Sequence, residues 1–348
     1  MLVGEAGALE RTPRWLVSIL AAVVLVACGG GVASSPGPQP PPPQPANEAS
    51  AAPTERPLRH VRYGQPSTAV QYLYLLVAQE RGFYRAQGLE VELVNAPANV
   101  VAALTAGELA YTAGVPGGIR LALRGLPLKV VSVAALQEYT FVTRPEIVAV
   151  HQLRGKPLGI SAPGSTNDRA VQAALRHLGV DPNEVTLVAI GDPSRQLQAL
   201  QAGAIEGAAL SLPYSVLAQR EGFPSWVRTD SLYRAVNTGL VAPQSRIDER
   251  REEVLGLIRA ERAAIRYLKA ERAWGATFVA ERFGLEPEVA QAVYERTLEG
   301  YPEASDLTAL RDAIEDVIAT EKAAAGITNG KGWTELVDPT LAVEAAGS

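Results

Sequence analysis

From His60 onward, short apolar runs alternate with segments whose apolar residues recur at helical spacing. "HVRYG" predicts a strand, "TAVQYLYLLVAQERGF" a helix and "LEVELV" a second strand. "NVVAALTAGEL" predicts the next helix, "AYTAG" a strand, "GGIRLALRG" a helix and "LKVVSVAAL" a further strand. After a transition over 139–155 the order recurs. "KPLGIS" predicts a strand, "DRAVQAALRHLG" a helix, "EVTLVAI" a strand, "SRQLQALQAGA" a helix and "IEGAALSLP" a strand. "GLVAP" (239–243) reads as a strand returning to the first half, and the chain from Ile247 onward is helical. Alternation of this kind is the signature of α/β architecture.

The recurrence extends to single residues. Leu104, Ala106 and Gly107 correspond to Leu200, Ala202 and Gly203 at a constant offset. Pro116, Gly125 and Pro127 correspond to Pro213, Gly222 and Pro224 with that offset grown by one. "QPST" (65–68) stands in the first half where "APGST" (162–166) stands in the second. Order and spacing together predict two similar lobes.

The N-terminal segment follows another rule. "WLVSILAAVVLVA" is an uncharged run of thirteen residues directly before Cys28, the single cysteine. It is shorter than the ~20 apolar residues of a permanent membrane span and suits a signal-peptide core. "LVAC" (Leu25–Cys28) resembles the lipobox of bacterial lipoproteins, which implies cleavage after Ala27 and lipidation of Cys28. Residues 28–57, rich in Gly, Ser, Pro and Ala, cannot form a core and read as a tether.

Composition narrows the chemistry. A net charge of −5 and a dispersed charge pattern give no basic footprint for nucleic acid. One cysteine makes neither an internal disulfide nor a thiolate cluster. His60, His151 and His177 are far apart and lack metal-ligand spacing, so no metal is expected. The Glu/Arg-rich C-terminal helices read as solvated faces with i,i+4 pairs.

The most suggestive stretch is "SAPGSTNDRAV" (161–171). Ser161 and Ser165 are not flanked as a nucleophile elbow requires. His177 lies about three turns into the following helix and points away from its start. The Gly-Lys pairs at 155 and 330 lack the rest of a phosphate loop, and no dinucleotide fingerprint lies between a strand and a helix. A helix start remains, with unsatisfied N–H groups that Ser165, Thr166, Asn167 or Asp168 can cap. "QPST" makes the same offer in the first lobe, so two facing helix starts would form a site for a small polar or anionic ligand.

At these residues the chain resembles the substrate-binding proteins of ABC importers, in the branch of sulfonate, taurine, nitrate and thiamine-precursor binders. The likeness lies in "VAQERGFYRAQGLEVELV", "LTAGELAYTAGVPGGIRLALRGLPLKVVS", "QLRGKPLGISAPGSTND" and "LQAGAIEGAALSLPYSVLAQREGF", and runs from about 58 to 325. It implies a two-lobe α/β fold of the type II periplasmic-binding-protein kind, with two hinge crossings and a ligand cleft between the lobes. The expected organisation is a signal peptide over 1–27, a tether over 28–57, a first lobe over 58–145, a second over 146–238, and a return to the first over 239–348. Crossings are expected near 139–152 and 234–243, with Ile247 onward packed on the first lobe.

The resemblance further implies a monomeric extracytoplasmic receptor, held to a membrane by lipid, that hands a solute to a membrane permease. No cofactor, catalytic residue or nucleic acid partner is implied. Carried over position by position, it gives Gln65, Ser67, Gly114, Val115, Tyr139, Gly164, Ser165, Thr166, Ser211 and Tyr214 as ligand contacts. No arginine stands in these loops to clamp an oxyanion, although Arg169 begins just after the capping run. A receptor of the same fold serving a sensor, and an exported enzyme with a cleft active site, are the alternatives. A thiamine-pyrimidine-synthase activity of this fold would require a cysteine-rich motif that is absent here.

Overall fold

The computed structural model describes residues 57–66, 68–95, 100–302, 307–328 and 330–347. The expected signal peptide, Cys28, almost all of the expected tether, and Ser67 lie outside the described residues. Among the described residues no helix is long and apolar enough to cross a membrane.

In chain order the first part forms β1 (Arg59–Gln65), α1 (Leu73–Glu80), α2 (Phe83–Ala86), β2 (Leu89–Asn95), α3 (Val100–Thr105), β3 (Tyr111–Gly114), α4 (Val115–Leu123), β4 (Leu128–Val130) and β5 (Ala135–Gln137). The second forms β6 (Thr140–Thr143), β7 (Pro157–Ile160), α5 (Thr166–His177), β8 (Thr186–Ala189), α6 (Pro193–Gln201), β9 (Gly207–Leu210), α7 (Tyr214–Arg220) and β10 (Ser225–Arg228). β11 (Ala235–Pro243) follows, then α8 (Gln244–Glu249), α9 (Arg251–Ala270), α10 (Arg272–Phe283), α11 (Pro287–Glu299) and α12 (Arg311–Ala325).

The strands make two sheets of one plan. The first runs β2-β1-β3-β11-β4, with β5 also paired to β11; the second, read from its far edge, runs β8-β7-β9-β6-β10. In each, the second strand in this order pairs parallel to both the first and the third, and one antiparallel strand separates the third from the last. That antiparallel strand is the one the chain inserts on crossing between sheets. The duplication read from the sequence is therefore a duplication of topology.

Parallel sheets are covered on both faces, and here β3, β6 and β9 are buried at every residue. α1, α9, α10 and α11 supply much of the core on one face of the first sheet, and α4 and α12 much of the core on the other. α5 packs one face of the second sheet, α6 and α7 the other. Two expectations need correction. "LKVVSVAAL" is two short strands, β4 and β5, because the chain bends between them to follow β11. The transition over 139–155 hides β6, an inner strand of the second sheet.

The chain crosses from β5 to β6 through Glu138 and Tyr139, and returns from β10 to β11 through 229–234. The two crossings are tied to each other. Tyr139 N donates to Thr229 Oγ1 at 3.0 Å, and Thr229 N donates to Tyr139 O at 2.8 Å. The first crossing begins one residue and the second five residues before the spans expected from sequence, and both are shorter, since β6 opens at Thr140 and β11 at Ala235.

Candidate functional site

The start of α5 is built by its own side chains. Gly164 takes φ +74°, the left-handed region open to glycine, and so turns the chain from the end of β7 toward the helix. Ser165 is the N-cap, its Oγ accepting from Asp168 N at 3.2 Å. Asp168 Oδ2 accepts from Gly164 N at 2.8 Å, which puts a buried carboxylate at the positive end of the helix. Asn167 accepts from Ser161 N at 2.7 Å and donates to Ala209 O at 2.6 Å, anchoring the loop to β9. Gln196 donates to Gly191 O at 2.7 Å and Ser161 Oγ at 3.2 Å, so Ser161 belongs to the scaffold.

The start of α4 is built differently. Gly114 is its N-cap with no side-chain cap, and a proline lies in its first turn. Between the two helix starts lies a cavity of about 430 Å³. Its first-lobe wall includes Pro66, Tyr72, Thr112, Gly114, Pro116 and Arg120. Gly164, Ser165 and Thr166 form the second-lobe wall, with Asn237 of β11 and Glu321 of α12 closing it. Thr166 Oγ1 lies 3.1 Å from Tyr139 Oη, which joins the helix start to the first crossing. Burial pushes the Tyr139 hydroxyl above the ordinary phenol range, against a smaller opposite pull from Thr166. The group therefore remains a neutral donor and acceptor.

Of the ten contacts named from sequence, Gly114, Gly164, Ser165 and Thr166 line this cavity. Tyr139 reaches it through Thr166. Gln65 ends β1 beside the cavity residue Pro66 and is buried, its Oε1 without a hydrogen-bond partner. Val115 points into the first-lobe core. Ser211 is buried ahead of α7, and Tyr214 packs against Val142, Leu197 and their neighbours. Neither of these two residues is among those lining the cavity. Ser67 lies outside the described residues.

Sequence reasoning missed Arg120 and Glu321. It sought arginine in the loops, whereas Arg120 stands one turn inside α4, four residues after Pro116, on the same helix face. That i,i+4 spacing was readable. Its carboxylate partner, 201 residues away, was not. Among the described residues no group of three or more His, Cys, Asp or Glu could hold a metal ion.

α12 also touches the second lobe. Arg169, in the first turn of α5, donates to Asp316 Oδ2 at 2.5 Å and to Thr320 Oγ1. The lobes thus meet between α5 and α12 as well as at the crossings.

A family model described as NMT1/THI5 like matches residues 69–272. No match was found among curated proteins. Among solved structures, the ligand binding component of an ABC-type import system from Staphylococcus aureus aligns at TM-score 0.66 and 15% identity, over 83% of this chain and 100% of that one. The periplasmic aliphatic sulphonate binding protein SsuA from Escherichia coli aligns at TM-score 0.66 and 16% identity, over 82% and 99%. The desulfurization enzyme DSZB aligns at TM-score 0.62 and 16% identity, over 83% and 99%. At these identities the likeness is one of fold.

Proposed function

The chain belongs to the NMT1/THI5-like family, and from that premise we propose that it is the extracytoplasmic solute receptor of an ABC importer. A small polar or anionic organic solute enters the cavity between the lobes, and the loaded receptor presents it to a membrane permease. One observation carries this reading: the cavity lies between two helix starts, that of α4 in the first lobe and that of α5 in the second, whereas the sequence points to the start after "QPST" as the first-lobe partner. Uncharged hydroxyls and amides near apolar walls are the ordinary equipment of a binding cleft. The solute receptors among the aligned structures support the same role.

The receptor is held at the outer face of a membrane by lipid on Cys28. Cys28→Ser is expected to move the protein from the membrane fraction to the soluble one; retention in the membrane fraction would remove lipid as the main anchor.

Ligand capture is tested by thermal shift against a panel of small sulfonates, nitrate and substituted pyrimidines. A true ligand at a hundredfold excess over its Kd adds about 2.7 kcal/mol of stability. Ser165→Ala with Thr166→Val is expected to weaken that ligand about tenfold, the ~1.4 kcal/mol expected for lost hydrogen bonds. The fold should survive, since loss of an N-cap costs about 1 kcal/mol. Unchanged affinity in the double variant would place the ligand elsewhere.

The alignment with DSZB favours one second reading, an enzyme of the same fold. Turnover of the panel ligand by purified protein would establish it over the receptor reading.

A further inference from the structure

The cavity wall already holds a carboxylate where an anionic solute would bind. Arg120 Nε donates to Glu321 Oε2 at 2.5 Å, and its Nη2 donates to Glu321 Oε1 at 3.1 Å. This two-point geometry is the one in which a guanidinium grips a carboxylate, sulfonate or phosphate. The Glu321 side chain is 5% exposed, whereas that of Arg120 is 46% exposed. The glutamate is thus sunk in the wall and the arginine reaches toward open space. The glutamate's helix, α12, is also held to the second lobe by the Arg169 bonds to Asp316 and Thr320.

The start of α5 repeats the arrangement. Its positive end is served by Asp168, which is 5% exposed and bonded to Gly164 N. Two of the places where charge could hold an anion, the fork of Arg120 and the start of α5, are therefore served by carboxylates of the chain itself, which leaves the uncapped start of α4 with only its backbone dipole. Arg124, which caps the C-terminal end of α4, also lines the cavity but is exposed, so water screens it. The remaining polar lining includes Tyr72, Thr112, Ser165 and Asn237, all uncharged.

We propose that Glu321 is the specificity-determining residue of the cavity: by occupying the fork of Arg120 it excludes oxyanions and selects uncharged, hydrogen-bonding solutes. The inference rests on reading this cavity as the solute site. An oxyanion entering the wild-type cavity must either displace a buried carboxylate, leaving that charge unpaired, or bind without Arg120. Both routes are costly. An uncharged solute meets neither obstacle.

The test uses methanesulfonate as the anionic probe and dimethyl sulfone as its uncharged counterpart, titrated calorimetrically. The proteins are the wild type, Glu321→Gln and the double variant Arg120→Met/Glu321→Gln. Glu321→Gln is expected to bind methanesulfonate at least tenfold more tightly than the wild type, with dimethyl sulfone affinity unchanged within about twofold. The gain should vanish in the double variant. Glu321→Ala, which frees the guanidinium fully, is the second variant should the glutamine protein fail to fold, and it carries the same expectation. Equal sulfonate affinity with and without Glu321, a gain that survives Arg120→Met, or no sulfonate binding by any variant would each overturn the assignment. Failure of the receptor reading has a different signature, namely a wild type with no ligand anywhere in the wider panel.

Discussion

Replacing Glu261 by glutamine is expected to stabilise the protein, by about 1 kcal/mol at pH 5.5 and about 4 kcal/mol at pH 7.5. Glu261 lies on α9, 2% exposed, in the core of the first lobe. Tyr63 of β1, Tyr74 of α1 and Tyr84 of α2 are buried around it. The Tyr63 hydroxyl is placed to favour the charged form, but it falls short of a hydrogen bond: its Oη and Glu261 Oε1 both lack a partner. Burial therefore dominates and pushes the carboxyl up from 4.5 to about 8.

The direction of the pH effect follows from proton binding. Between pH 4.5 and about 8 the folded protein retains a proton that the unfolded chain releases. The contribution of Glu261 is thus fully present below pH 4.5 and is lost progressively as pH rises to about 8. Glutamine is neutral in both states and suffers no such loss. In a chain of this size about 1 kcal/mol corresponds to ~2 °C. The melting temperature of the variant should exceed that of the wild type by about 2 °C at pH 5.5 and about 8 °C at pH 7.5. A difference independent of pH would mean that the carboxyl is ionised in the fold.

The sequence exposed the duplication because its repeated residues are structural stops. Gly107 and Gly203 both take left-handed φ, +73° and +71°, just after α3 and α6, where the chain turns back into β3 and β9. Gly125 and Gly222 do the same after α4 and α7, at +110° and +88°. Such positions have local causes, so they are visible in one sequence. The α5 loop was legible for the same reason, since capping is decided within four residues.

What escaped was non-local. β6 and β10 are four residues each, and β6 pairs with a strand some 65 residues away in sequence. Neither shows a helical or alternating period long enough to separate it from a loop. The Arg120–Glu321 pair joins α4 to α12 across the whole fold. The cavity thus owes its shape to local chemistry and its charge to long-range packing, and only the first is written in neighbouring residues.

Arg296→Met is expected to cost about 3 kcal/mol and to loosen the first crossing. Arg296 reaches from α11 to Glu138, its Nε donating to Oε2 at 3.2 Å and its Nη2 to Oε1, while Nη2 also donates to Thr140 Oγ1 at 2.6 Å. Glu138 is 9% exposed and leads directly into β6, so this cluster holds the strand that enters the second lobe. The nearest other cation is Arg228, whose Nε stands 3.8 Å from Glu138 and whose Nη2 is bonded to Asp230 and Glu299. Removing Arg296 therefore leaves a buried carboxylate that accepts from Thr140 Oγ1 at 2.8 Å but has only one distant, shared cation, the arrangement that makes breaking a buried pair expensive. A melting temperature about 6 °C below wild type is expected. Glu138→Gln in the same chain removes the orphaned charge and should restore most of the loss, a coupling of about 2 kcal/mol in a double-mutant cycle. Additive losses in the cycle would mean that Arg296 acts by packing alone. A positive coupling would instead place the charge balance of the hinge in Glu138. It would then be this carboxylate, held from α11, that fixes β6 and with it the distance between the two helix starts facing the cavity.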